Sequence, residues 1–261
     1  MPAQPVPDAA RIMATSQGAI GRKIGDHAFT SSTGSTVRIS DLAADKPLVI
    51  SMVFSACSHT CPVITQTLID AVAVARGAVG RDGFRVVTIG FDVANDTATR
   101  MRAFARRQGI PLGGDWQVLS GTQTAVEGLA RDIGFEFFPS AKGFDHLNQT
   151  TVVDRDGRVF RQIYGQNFES LYLVEPLKAL VLGTDAPFSS LDELINKVRL
   201  FCTIYDPNAD RYQFNYAMFF RIGTGFTVIV FLLVIVIRGW RQNNGPRDGG
   251  SGGSLKACPK P

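Results

Sequence analysis

The sequence predicts an α/β domain that begins with a small N-terminal β-hairpin and is followed, toward the carboxyl end, by a transmembrane helix. Three observations predict it. Residues 47–54 and 84–91 are apolar and β-branched, the mark of buried strands. Strand and helix patterns alternate three times, which implies a parallel sheet joined by crossover helices. Finally, no residue from 222 to 237 is charged. With the flank back to Tyr216 this stretch reaches roughly 22 residues, enough to cross about 30 Å of hydrocarbon.

Residues 1–20, with three prolines before Ala14 and no periodicity, read as a disordered leader. The domain proper is expected over 21–184. Its hairpin comprises 24–29 and 37–39 with Gly34 in the turn, which sets His27 at the start of an edge strand, exposed to solvent. After strand 47–54, Ile64, Leu68, Val72 and Ala75 mark the inward face of a helix that Gly77 and Gly80 stop. Strand 84–91 ends at Asp92. Asp96 is expected to N-cap a helix over 97–108, and Asp92 to hydrogen-bond near the cysteine turn. A strand over 116–119 and a helix over 122–133, closed by Gly134, lead to an irregular stretch, 137–149, that contains Pro139, Gly143 and His146. Strands 150–154 and 159–164 flank Arg155-Asp156-Gly157 as a hairpin. A helix is expected from near Pro176 to Gly183. A capping box of Ser190 and Glu193 starts another through about Phe201, within a helical connector over 185–215. The transmembrane helix is placed at 216–238 and a tail at 239–261.

The chemistry is concentrated in Phe54-Ser55-Ala56-Cys57-Ser58-His59-Thr60-Cys61-Pro62. Here a buried strand gives way to a helix, with Cys57 in the loop and Cys61 and Pro62 in the first helical turn, where a missing N–H costs nothing. Unpaired backbone donors and the positive end of the helix dipole are expected to favour thiolate at both cysteines. Three intervening residues make a wider loop than Cys-x-x-Cys, able to admit an ion between two sulfurs without requiring them to bond. Two thiolates suit Cu(I) or Zn, so the site is one for soft-metal or redox chemistry, with a structural disulfide as the plainer alternative.

A formal net charge of +4 is no nucleic-acid signature. Arg100, Arg102, Arg106 and Arg107 cluster on the polar side of a helix without aromatic partners, which reads as a solvated face. Trp240, Arg238 and Arg241 look like interface anchors after the apolar span. The excess of arginines beyond it puts the tail in the cytoplasm and the main domain in the periplasm, as a single-pass protein of the cell membrane. Export of that domain requires a signal, and residues 1–17 contain no apolar h-region.

The order of elements looks like a thioredoxin-type domain, in which the loop before the penultimate strand packs against the cysteine turn. That placement makes His146 the third ligand candidate, completing a two-sulfur, one-nitrogen set suited to trigonal Cu(I) and tolerable for Cu(II). His59 is expected to point outward as an accessory entry ligand. Cys57-x-x-x-Cys61-Pro62, Phe91-Asp92 followed by Asn95-Asp96-Thr97, and Asp145-His146 before Val152-Val153-Asp154-Arg155-Asp156-Gly157 together resemble the Sco/SenC family over roughly 24–183. The resemblance implies a membrane-tethered copper chaperone that serves the copper-bearing subunit of cytochrome c oxidase. By position, Cys57 and Cys61 would be thiolate ligands and His146 the imidazole ligand, while Asp92 falls near a family acidic position. Many relatives are tethered at the amino end, whereas the span here lies near the carboxyl end.

Two functions compete. In one, the chain delivers copper and needs a thiol reductant protein to keep its sulfurs reduced. In the other it is a membrane-bound thiol–disulfide oxidoreductase acting on the oxidase subunit, with Cys57 attacking and Cys61 resolving. Asn148-Gln149-Thr150, where reductases of this fold place a proline, favours metal. A peroxidase expects Pro and Thr ahead of its reactive cysteine, and Val53-Phe54-Ser55-Ala56 supplies neither. Cys202 reads as a packed or idle thiol, and Cys258 has no assigned role.

Overall fold

The computed structural model describes residues 9–58, 60–140, 143–182, 203–206 and 211–214. Strand β3 (Leu48–Val53) is buried at every position, and the sheet is built outward from it. Preceding it are helix α1 (Ala9–Gln17), strands β1 (Ala28–Ser31) and β2 (Thr36–Arg38), and a short helix α2 (Ile39–Ala43). Helix α3 (Thr60–Val79), strand β4 (Arg85–Gly90), helix α4 (Ala98–Gln108), strand β5 (Trp116–Gly121) and helix α5 (Gln123–Asp132) follow. Then come β6 (Phe137–Ser140), β7 (Gly143–His146), β8 (Gln149–Val153), β9 (Val159–Tyr164) and helix α6 (Leu171–Leu182).

Seven strands form one sheet in the order β2-β1-β5-β4-β3-β8-β9. The parallel core expected from the alternating pattern is β5-β4-β3, and antiparallel strands extend it on both sides. Gly34 takes a φ of 92° in the β1–β2 turn, as expected of glycine there. Helix α3 turns Cys61, Ile64, Leu68, Val72 and Ala75 inward. Among the described residues it is the one helix long and apolar enough to cross a membrane, yet it is a core helix of the domain.

Several elements depart from expectation. The leader is helical over α1, because Ile12 is buried and Ser16 donates to Gln149 Oε1 at 2.7 Å and lies 2.9 Å from the Tyr164 hydroxyl. His27 is half-buried rather than exposed, its Nε2 2.7 Å from Asp132 Oδ2. The stretch 137–149 is not irregular: β6 and β7 pair antiparallel, Phe137 opposite His146 and Ser140 opposite Gly143. Helix α6 starts at Leu171, before Pro176, which sits inside it. In the connector expected to be helical, β10 (Thr203–Asp206) pairs antiparallel with β11 (Arg211–Phe214), in keeping with the β-branched and aromatic residues there. The capping-box helix from Ser190, Cys202, the span 216–238, the tail 239–261 with Cys258, and His59 lie outside the described residues.

Candidate metal centre

The chain leaves β3 at Val53 and turns at once, the Cys57 N–H donating to Phe54 O at 3.1 Å. Cys57 is left half-buried in the loop and Cys61, 1% exposed, in the first turn of α3. The two are present as thiols, and the Cys61 N–H donates to Cys57 Sγ at 3.3 Å. That contact is the helix-end donor expected from the sequence. Cys61 differs from expectation: burial pushes its thiol far up, against the pull of the Phe54 backbone donor, and the neighbouring Cys57 adds to the rise. Desolvation is the largest influence at this position and favours the protonated thiol.

His146 ends β7. Its ring is packed among Phe54, Phe91 and Phe135, with centroids at 6.3, 5.4 and 5.5 Å. Its Nδ1 is 3.1 Å from Leu147 O. A carbonyl can only accept, so Nδ1 carries the proton and Nε2 holds its lone pair in the neutral ring. Burial lowers the pKa of His146 and keeps the ring in that neutral form. A carbonyl fixing one ring nitrogen while the other is left basic is the usual arrangement of a metal-binding histidine.

Cys57 and His146 line one cleft of about 680 Å³, with Phe54, Ser58, Thr60, Phe144 and Asp145. Among the described residues, no three His, Cys, Asp or Glu side chains stand close enough together to hold a metal ion as placed. Cys57, Cys61 and His146 thus share a locality without forming a closed ligand set.

Neither aspartate keeps its expected role. Thr97, not Asp96, caps α4, its side chain accepting from the Arg100 N–H at 3.3 Å. Asp96 is 2% exposed and takes the N–H of Ser55 at 2.8 Å on Oδ1 and that of Asp92 at 2.9 Å on Oδ2. Burial raises its pKa against the pull of the Ser55 donors. The Asp92 side chain accepts from Asn95 Nδ2 at 2.8 Å and turns to its own loop. The arginines of α4 are exposed as expected, although Arg107 Nη2 donates to Ser55 O at 3.4 Å. The sequence reading missed the aromatic packing under the hairpin; the only signal was the density of phenylalanines at 54, 91, 135, 137 and 144.

Fold and site together define a thioredoxin-like α/β domain with a cysteine pair at the end of its central strand and a histidine on the neighbouring hairpin. The SCO1/SenC family model matches residues 16–181, and the chain belongs to that family. Comparison with curated protein sequences finds no match. A protein from Aquifex aeolicus VF5 is 29% identical, with a TM-score of 0.57 over 63% of this chain and 95% of its own. BsSco, a member of the Sco family of cytochrome c oxidase assembly proteins in which a disulfide switch was identified, is 20% identical, with a TM-score of 0.54 over 63% and 96%. Arabidopsis thaliana ScoI with copper bound is 17% identical, with a TM-score of 0.52 over 60% and 97%. At the last two identities the likeness is one of fold.

Proposed function

We propose that this chain carries copper as cargo on Cys57, Cys61 and His146 and delivers it to the copper-bearing subunit of cytochrome c oxidase. One observation carries the reading: the His146 Nε2 lone pair, left basic by the Nδ1–H bond to Leu147 O, belongs to a residue lining the cleft of Cys57. Two sulfurs and one imidazole are a donor set suited to Cu(I). Family membership and the copper-bound Sco structures point the same way. The side chains fit as donors, and closing the set requires a rotation of His146 or a shift of the β6–β7 hairpin toward the sulfurs. Cys61, protonated by burial, loses its proton on loading, so uptake releases protons. A thiol reductant protein supplies the reduced pair, and the span 216–238 anchors the domain on the periplasmic face of the cell membrane with the tail in the cytoplasm.

The Cys61 N–H bond to Cys57 Sγ, which sets the two cysteines side by side, and the disulfide switch named for BsSco favour a second reading, a thiol–disulfide oxidoreductase working on the oxidase subunit's cysteines. One experiment separates them. The reduced full-length chain in detergent is titrated with Cu(I) against a chromogenic chelator, and in parallel with a protein disulfide. Stoichiometric copper capture with slow disulfide reduction supports delivery, whereas rapid reduction without copper capture establishes the oxidoreductase. Reporter fusions at the two ends of 216–238 test the orientation, and a reporter active outside the cytoplasm at residue 261 overturns it.

A further inference from the structure

Asp96 is a buried carboxylate with a position that the copper reading leaves unexplained. It does not line the cleft and it follows β4 rather than β3, although its charge adds to the rise of the Cys61 thiol. Yet both of its oxygens are committed to main-chain donors on two different loops, Ser55 N–H and Asp92 N–H. Charge-assisted bonds of this kind are roughly twice as strong as neutral ones, and in a buried setting the loss of the acceptor leaves the donors unsatisfied. Gly90 shows how closely the group is fitted: a Cβ there would lie 2.5 Å from Asp96 Cβ and 2.7 Å from Met101 Sδ.

Ser55 is the second residue of a short joint that touches every part of the centre. The preceding residue, Phe54, accepts the Cys57 N–H on its carbonyl at 3.1 Å. The Phe54 ring packs on Phe144 at 5.4 Å and on His146, the two flanks of the hairpin strand that carries the imidazole. Two residues later stands Cys57. A carboxylate holding the Ser55 peptide therefore holds, through one or two bonds of chain, the ring under the histidine and the turn that presents Cys57.

We infer that Asp96 is the positioning residue of the cysteine pair, fixing the 54–57 loop so that Cys57 stays within reach of Cys61. Two thiols on a fixed loop have a high effective concentration toward each other, and loosening the loop lowers it and favours the dithiol. The inference rests on the reading of Cys57 and Cys61 as the working pair, and it is independent of whether copper is the cargo.

The test is the dithiol–disulfide equilibrium of the full-length chain in detergent, with Cys202 and Cys258 replaced by Ser, set against reduced and oxidised glutathione. Two glutathione thiols give two electrons and two protons to the Cys57–Cys61 disulfide, leaving two protein thiols and one glutathione disulfide. Asp96→Asn shifts this equilibrium about tenfold toward the dithiol, equal to about 30 mV for a two-electron couple. Ser55→Pro, which deletes the backbone N–H that Asp96 Oδ1 accepts, shifts it the same way by about tenfold. Trp116→Phe, which loses a buried bond to Thr88 Oγ1 away from the loop, leaves it unchanged and controls for stability. An unchanged equilibrium in Ser55→Pro overturns the inference even where Asp96→Asn does not fold, and so does an equal shift in Trp116→Phe. Cu(I) capture measured on the same samples reports separately on the copper reading, since a wild-type chain that ignores copper sinks that reading alone.

Discussion

Two histidines, both half-buried, show how differently one fold can use the same side chain. His27 gives Nε2 to Asp132 Oδ2 at 2.7 Å, and that oxygen also takes the Gly25 N–H at 2.7 Å. Its ring lies against Gly128, where a Cβ would fall 2.5 Å from Cε1. Among the described residues, His146 is held by its neighbour's carbonyl and by aromatic rings. A carboxylate partner turns an imidazole into a structural pin, here tying the β1 hairpin to α5. A carbonyl partner leaves a nitrogen available, and proximity to a thiol gives it something to do.

The comparison breaks most severely at the sulfurs. Cys57→Ser or Cys61→Ser is expected to cut Cu(I) capture by more than about a hundredfold, beyond the roughly 10–100-fold of outer-shell changes. A chelator competition that finds either variant close to wild type removes that sulfur from the centre. Next in size, His146→Ala is expected to weaken capture about 10–100-fold while the Cys57–Cys61 disulfide still forms. His27→Ala leaves capture untouched, and equal losses in the two histidine variants would erase the distinction between them. His27→Ala, which removes one of the two donors to Asp132 Oδ2, costs about 1–3 kcal/mol in chemical denaturation. The smallest effect is that of Trp116→Phe, about 1 kcal/mol for the lost Nε1–H bond to Thr88, with copper capture unchanged.

What the sequence made legible followed from how local the signal was. Strand β3 could be read because every one of its residues is buried, and α3 because its apolar residues recur at helical spacing. The cysteine turn followed from those two. The β6–β7 hairpin was hidden because Pro139 interrupts its first strand, and because its stability comes from Phe54 and Phe91, far away in sequence. Helix α1 is likewise held by Gln149 and Tyr164, partners that no local pattern announces. Asp96 and Thr97 are adjacent good capping residues, and only the tertiary demand of the Ser55 N–H decides which of them caps. His27 misled for the same reason, since its carboxylate lies at the end of a helix more than a hundred residues on.

Gly143 opens the strand that carries His146, with a φ of 112° and with Phe54 ring atoms 2.9 Å from where its Cβ would be. The approach of the imidazole strand to the sulfur loop therefore depends on an atom that is missing. A methyl group there would wedge the two apart, so Gly143→Ala is expected to lose the proposed copper capture with Cys57, Cys61 and His146 all in place.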